Sequence, residues 1–180
     1  SAATTHGALV PIAYYSGNNT SGVVVFSNIP QIYQDLMIVI KGRSTQSAIW
    51  SGINFFLNAD GTTSNYSRTR LQGDGSTANS YRDNSSSGAG AAMDCITGAN
   101  ATSGVFSSHI THILNYANTS TYKTMLSRTA MDANGSGYVY LWVNLWRSTS
   151  AVSSIQLNTY SGNYDTGTTI ELFGVRTVGQ

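Results

Sequence analysis

The sequence has few charged residues, and this scarcity excludes several classes of protein. Charged residues make up 9% of the 180 positions, whereas an ordinary soluble domain carries about 25%. The 9 Lys and Arg nearly balance the 8 Asp and Glu. A nucleic-acid-binding protein needs a surplus of Lys and Arg to displace the counterions of the phosphates, so we expect no nucleic-acid partner. Glu and Lys are also too rare for a long helical bundle.

Cysteine and long apolar runs are equally scarce. Cys95 is the single cysteine, so it cannot form an intramolecular disulfide, and we expect a small buried side chain with no metal-ligand role. No apolar run approaches the roughly 18 residues that span a membrane, which predicts no membrane partner. Residues 1–7 lack the basic and apolar regions of a signal peptide, so we expect synthesis in the cytoplasm.

The residues that are abundant predict an all-β fold. Hydrophobic residues make up 41% of the chain and aromatic residues 11%, which is enough for one domain with a substantial core. Short apolar or alternating segments recur between clusters of Gly, Asn, Ser and Asp. Such strands without helices indicate an antiparallel β-sandwich, most simply a jelly roll. We predict strands at residues 23–26, 36–41, 53–58, 66–71, 92–96, 105–114, 122–128, 138–146, 153–157 and 168–175.

Two segments fall outside these strands. Residues 1–21 contain an apolar stretch followed by Gly17-Asn18-Asn19. This pattern predicts an extended N-terminal arm before a sandwich of residues 22–180, and a first edge strand of the same sandwich is the alternative. Residues 72–91 consist almost entirely of Gly, Ser, Asp, Asn and Ala, which predicts a long loop.

The connecting segments contain residues that are typical of turns rather than of reaction sites. Asp60-Gly61 and Asn134-Gly135 predict hairpin turns. Asp74-Gly75 resembles part of a calcium loop but lacks the alternating acidic pattern, so turn formation explains it. His109 and His112 lie three positions apart in a predicted strand, so their side chains point to opposite faces and we expect no shared metal ion.

No complete motif for nucleophilic or phosphoryl chemistry is present. The G-x-S-x-G, Walker and G-x-G-x-x-G patterns are all missing. A glycosidase needs two opposed carboxylates in a cleft, and the 8 acids here stand mostly in turn contexts. We therefore expect no catalytic residues, no metal and no cofactor, and we interpret the protein as non-enzymatic.

The segment 138–146 is the most informative, because its two sides differ. Its alternation gives one aliphatic face, which we predict to be core: Val139, Leu141, Val143 and Leu145. The other face is aromatic. We interpret it either as a second packed surface or as a ledge that binds a subunit or a sugar ring. Its aromatic residues are Tyr138, Tyr140, Trp142 and Trp146.

A candidate interface combines the arm with the predicted strand 66–71. Tyr66, Arg68 and Arg70 share one side of that strand, and Tyr and Arg are enriched in protein interfaces. A solvated face is the alternative. The arm is apolar, so it can pair with or pack on a neighbouring chain. Its candidate contact residues are Leu9, Val10, Ile12, Tyr14 and Tyr15.

Several segments spread over residues 22–176 carry a family resemblance. They are residues 26–36, Leu57-Asn58 with 65–67, Tyr122-Lys123, residues 145–149 with Ile155, and residues 172–175. Through them the chain resembles small structural proteins of tailed bacteriophages, notably those that infect cyanobacteria. The resemblance implies a non-enzymatic virion component with a jelly-roll-like fold, and it supplies no functional residues.

The resemblance, together with the lack of a fibre shaft or repeat, favours a capsid decoration (cement) protein. We expect a homo-oligomer, with a trimer favoured, that binds and stabilises the lattice of the major capsid protein on the virion surface. The alternative is a tail-fibre or tail-tip module that binds a receptor or a glycan through Trp142 or Trp146. A glycan-active enzyme is a third hypothesis, and it lacks the paired carboxylates.

Overall fold

A computed structural model describes residues 9–85 and 90–176, which form two antiparallel β-sheets packed face to face. The all-β sandwich predicted from the sequence is confirmed. A short 3-10 turn spans Thr63–Asn65. The strands are β1 (Leu9–Ser16), β2 (Val23–Phe26), β3 (Asp35–Gly42), β4 (Trp50–Leu57), β5 (Tyr66–Gly73), β6 (Ala78–Asp83), β7 (Ala91–Thr97), β8 (Ser107–Ile113), β9 (Lys123–Asp132), β10 (Gly137–Trp146), β11 (Ile155–Thr159) and β12 (Thr169–Val175).

The strand order is that of a jelly roll with two inserted hairpins. The larger sheet runs β1-β12-β3-β8-β9-β10-β5-β6, and the smaller sheet runs β2-β11-β4-β7. The smaller sheet and β1-β12-β3-β8 give the eight interleaved strands of a jelly roll. The hairpins β5–β6 and β9–β10 lengthen the larger sheet at one side. We call these four strands the extension, and β1-β12-β3-β8 the jelly-roll half.

The main core lies between the jelly-roll half and the smaller sheet. In β3 the side chains of Leu36, Ile38 and Ile40 are at most 1% exposed, whereas that of Lys41 is exposed. This alternation gives the sheet one buried face. Each such burial contributes roughly 1.5–3 kcal/mol, so the aliphatic core is the main source of stability.

A second, smaller cluster of buried residues lies beneath the extension. Besides Tyr140, Trp142 and Met131, it contains Cys95, which is fully buried as predicted. Burial raises the pKa of the Cys95 thiol to about 12, and a thiol that stays protonated is unreactive. Cys95 therefore acts as a packed side chain.

The apolar stretch near the N-terminus is an edge strand of the larger sheet. β1 pairs antiparallel with β12 along its length, with an irregularity between Pro11 and Ala13. Pro tolerates such an edge position because it has no N–H to donate. Of the two alternatives that the sequence left open for residues 9–16, the structure therefore has the edge strand. Residues 1–8 of the predicted arm lie outside the described residues.

The predicted loop 72–91 contains a strand, so the prediction was wrong there. β6 pairs antiparallel with β5, and Asp74 holds the turn between them because its Oδ1 accepts the N–H groups of Ser76 and Thr77 at 2.9 and 2.7 Å. The side chains of β6 are exposed or half-buried. No apolar alternation therefore marked this strand in the sequence. Residues 86–89 lie outside the described residues.

One of the two predicted hairpin turns is present. Asn134 (φ 63°) and Gly135 (φ 123°) join β9 to β10 as predicted. Asp60-Gly61 forms no hairpin, because β4 and β5 belong to different sheets. At that position the left-handed residues are Asn58 and Ala59, with φ of 52° and 55°. The chain turns there to cross from one sheet to the other.

Candidate contact surface

The two faces of β10 have the opposite orientation to the one predicted. Tyr140, Trp142 and Trp146 are 4%, 1% and 2% exposed, so the aromatic face points into the sandwich. Val139 and Leu141 are 60% and 44% exposed. The prediction that the aliphatic face is core was therefore wrong.

Cross-strand partners on β5 explain why the aromatic side is buried. Arg70 lies opposite Trp142, and Tyr66 lies opposite Trp146. The Arg70 guanidinium is 5.1 Å from the ring centroid of Tyr81, 5.3 Å from Trp142 and 5.7 Å from Tyr140. A cation packed against ring faces is stabilised electrostatically, and these contacts hold Arg70 and the rings of Tyr140 and Trp142 together on the inner side of the extension.

The two arginines proposed as interface residues are held inside by acids. Arg68 pairs with Asp83 at 3.4 Å, and Arg70 pairs with Asp94 at 3.6 Å. The Tyr160 hydroxyl donates to Asp94 at 2.9 Å. Burial raises the pKa of Asp94, although this hydrogen bond and the two guanidinium groups act in the opposite direction. These residues join the extension to β7 and do not form an exposed interface.

Asn144, also on the inner face of β10, bonds to the edge of the smaller sheet. β7 is an edge strand of that sheet. The Ala92 N–H donates to Asn144 Oδ1 at 3.0 Å, and Asn144 Nδ2 donates to the Ala92 carbonyl at 3.2 Å. Both backbone groups are thereby satisfied in a buried position, where an unpaired group costs about 1–3 kcal/mol.

The two tryptophans that were candidate platforms for a glycan lie on the inner face of β10. The Trp146 indole N–H donates to Asp60 Oδ2 at 2.7 Å. Burial acts to raise the pKa of Asp60, but hydrogen bonds from Trp146 and Asn65 outweigh it, and the pKa lies below its ordinary value. Since Trp142 and Trp146 are both buried, neither offers a ring face to a sugar in this structure.

The candidate contact residues of β1 are divided between its two sides. Leu9 and Tyr14 are 43% and 61% exposed. Ile12 and Tyr15 pack against the main core, and Val10 is half-buried. Tyr66, from the other half of the same predicted interface, is buried, and its Oη accepts the Leu57 N–H at 3.1 Å. The structure does not bring these residues together into one surface.

A broad exposed apolar surface lies instead on the outer side of the extension. Leu141 lies opposite Leu71 on one side and Arg128 on the other, and Val143 lies next to Leu126. A shallow groove of about 540 Å³ runs across this surface and is lined by Leu71, Val139 and Leu141 among others. We call the following set the apolar face: Leu71, Leu126, Val139, Leu141 and Val143, each at least 42% exposed.

Sequence reasoning missed the apolar face because it assigned these aliphatic residues to the core. A signal was present in β9, where buried Met125, Ser127 and Met131 alternate with exposed Leu126 and Arg128. Because successive side chains of a strand point to opposite faces, these two sets lie on opposite sides of β9. A strand whose aliphatic residues share a side with Arg can place that side outward.

The residues that suggested metal binding serve other purposes. His109 is buried with Nε2 2.8 Å from the Ser107 hydroxyl, and burial lowers its pKa to about 3. His112 lies on the outer face, 3.1 Å from Asp35. The two histidines point to opposite faces as predicted. Residues 9–85 and 90–176 contain no group of three or more His, Cys, Asp or Glu that could hold a metal ion.

The described part of the chain contains no helix long and apolar enough to cross a membrane.

Comparison with known proteins adds no family: no family model matches the chain, and no similar curated protein or solved structure is found.

Proposed function

We propose that the chain is a non-enzymatic structural protein of a phage virion, acting as a capsid decoration protein that binds the lattice of the major capsid protein as a homo-oligomer. The apolar face carries this proposal. Its side chains are 42–60% exposed on adjacent strands. Contiguous apolar surface of this kind marks sites of protein contact.

The electrostatics of the chain support an adhesive role. Charged residues are only 9% of the sequence, and the groove across the apolar face is lined mostly by apolar and uncharged residues, with Arg128 beside them. Contacts made by shape and apolar burial are screened little by salt, whereas exposed ion pairs are weakened by it. A particle that meets variable ionic strength benefits from such contacts.

The positions of the acids support a non-enzymatic role. Asp83, Asp94 and Asp165 are each in an ion pair with an arginine, and Asp35 Oδ2 lies 3.1 Å from His112 Nε2. Other acids hold turns, as Asp74 does at the β5–β6 turn. A glycosidase needs two carboxylates facing one cleft. The rings of Trp142 and Trp146 are both buried, so they do not support the glycan-binding alternative.

The proposal is tested by binding to phage capsids that lack their decoration protein. We expect the wild-type chain to co-sediment with such particles. Val139→Asp should lose at least about tenfold in affinity, because a charge in the desolvated contact between copies is costly and disrupts the homo-oligomer that binds the lattice. Val25→Asp is the matched control. Val25 is 55% exposed on the smaller sheet, so its substitution should leave binding unchanged.

Two outcomes would contradict the proposal. One is wild-type chain that remains in the supernatant at all particle concentrations. The other is equal loss of binding in Val139→Asp and Val25→Asp, because equal loss would mean that the apolar face has no special part in the contact.

A further inference from the structure

Two oppositely charged side chains on the outer side of the larger sheet have no partner among the residues that the structure describes. Arg128 of β9 and Glu171 of β12 form no ion pair or hydrogen bond with any residue in 9–85 or 90–176. Arg128 is exposed and Glu171 half-buried. The ion pairs among the described residues are Arg43–Asp165, Arg68–Asp83 and Arg70–Asp94, and His112 contacts Asp35. Unpaired opposite charges beside an apolar face indicate a partner with the complementary pattern.

Arg128 and Glu171 belong to one row of outer residues that crosses six adjacent strands. The row is fixed by strand register, since each residue pairs with the next across β1, β12, β3, β8, β9 and β10. In that order its members are Tyr14, Glu171, Val39, Ile110, Arg128 and Leu141. The acid and the base therefore lie at equal distances from the midline between β3 and β8.

We propose that a second copy of this chain covers this surface, packed sheet against sheet about a two-fold axis parallel to the strands between β3 and β8. The proposal rests on the proposed function, in which the chain binds the capsid as a homo-oligomer, and it makes the apolar face the contact between copies. With this axis, β8 of one copy lies over β3 of the second copy. In the same way β9 lies over β12, and β10 lies over β1. Arg128 then faces Glu171 of the second copy, and the reciprocal pair forms at the same time.

The apolar members of the row are complementary in the same arrangement. Ile110 faces Val39, and Leu141 faces Tyr14 of the second copy. Tyr14 projects from β1 with 61% of its surface exposed. It meets the groove lined by Leu71, Val139 and Leu141. A protruding ring opposite an apolar groove is the shape match that a stable interface needs.

The size and twist of the surface are also suitable. Six strands spaced about 4.8 Å apart, each about seven residues long, cover roughly 700 Å² per copy. A standard interface buries about 800 Å² per partner. Rotation about the two-fold axis does not change the hand of the sheet twist. The two facing sheets therefore twist in the same sense, and their strands remain aligned across the contact.

Reciprocal charge reversal tests the proposal by analytical ultracentrifugation. We expect the wild-type chain to form a dimer, and Arg128→Glu and Glu171→Arg each to weaken it by about 10- to 100-fold, because each variant places like charges in contact twice. An equimolar mixture of the two variants should restore the dimer, since both ion pairs then form between unlike chains. The double variant R128E/E171R should also dimerise.

Arg82→Glu is the matched control. Arg82 is an exposed residue on the same side of the larger sheet, but β6 lies beyond the six strands that the second copy covers. Its reversal changes the net charge equally and should leave the dimer intact. Circular dichroism checks that all variants keep the β fold.

A wild-type chain that is monomeric or trimeric, or a mixture that fails to restore association, would overturn the two-fold contact. The capsid experiment separates this outcome from failure of the proposed function. Capsid binding by a monomeric wild-type chain overturns the dimer and the homo-oligomer but leaves the decoration role intact. A charge-dependent dimer that does not bind capsids overturns only the decoration role.

Discussion

The two halves of the larger sheet bury different kinds of side chain. The jelly-roll half faces a complete sheet and buries aliphatic residues such as Ile38 and Leu172. The extension buries rings, an amide and cations, including Trp142, Asn144 and Arg70. It meets the smaller sheet at its edge strand β7. An edge strand has backbone groups without sheet partners, so the surface that covers it needs hydrogen-bonding side chains.

The first way to sharpen this comparison is to open a cavity in the jelly-roll half. Ile38 is fully buried, so Ile38→Ala should lower the free energy of unfolding by about 2–5 kcal/mol through lost burial and an unfilled cavity. Urea denaturation measures it. The control Val25→Ala, at an exposed position of the smaller sheet, should change stability by less than about 0.5 kcal/mol. Similar losses in both variants would argue against an aliphatic core as the main source of stability.

The second way is to remove the side-chain amide that hydrogen-bonds to the backbone of β7. Asn144→Leu keeps the size of the side chain but leaves the Ala92 N–H and carbonyl unpaired. We expect a loss of about 2–4 kcal/mol, because each unsatisfied buried group costs about 1–3 kcal/mol. Amide hydrogen exchange at Ala92 should accelerate more than in Ile38→Ala. A stability unchanged within about 0.5 kcal/mol would mean that the edge of β7 needs no partner.

The third and smallest effect is a loss of stability at acidic pH, and it arises from a histidine in the jelly-roll half. His109 is buried with its pKa lowered to about 3, while the unfolded chain takes up the proton near the ordinary value of 6.5. Stability is therefore lost as the pH falls below that value, by about 1.4 kcal/mol per pH unit. The difference in unfolding free energy between wild type and His109→Gln should fall at close to this rate from pH 5.5 to 4.5. A constant difference would contradict it.

Much of the fold follows from local sequence. All ten predicted strands correspond to strands of the structure, and the Asn134-Gly135 turn is present. The misses have local causes. β6 has no buried side chain, so it carries no periodic signal. At Asp60-Gly61 the dipeptide is typical of a hairpin, but the next strand pairs in the other sheet, and no dipeptide encodes that choice.

Less of the candidate surface could be predicted. Alternation separated Tyr140 and Trp142 correctly from Leu141 and Val143, but it did not say which set faces inward. The inward direction depends on Arg70 and on Ala92, which are distant in sequence and meet β10 only in the folded chain.

The sequence by itself determined an all-β domain, the positions of most strands and the division of each strand into two faces. These properties depend on the composition and on the side-chain period of a strand, which act within a few residues. Only the tertiary structure decided that β1 completes the jelly roll, that the aromatic side of β10 is buried and that its aliphatic side is exposed. Those outcomes depend on which surface lies opposite each strand, and that is set by contacts between residues far apart in the chain.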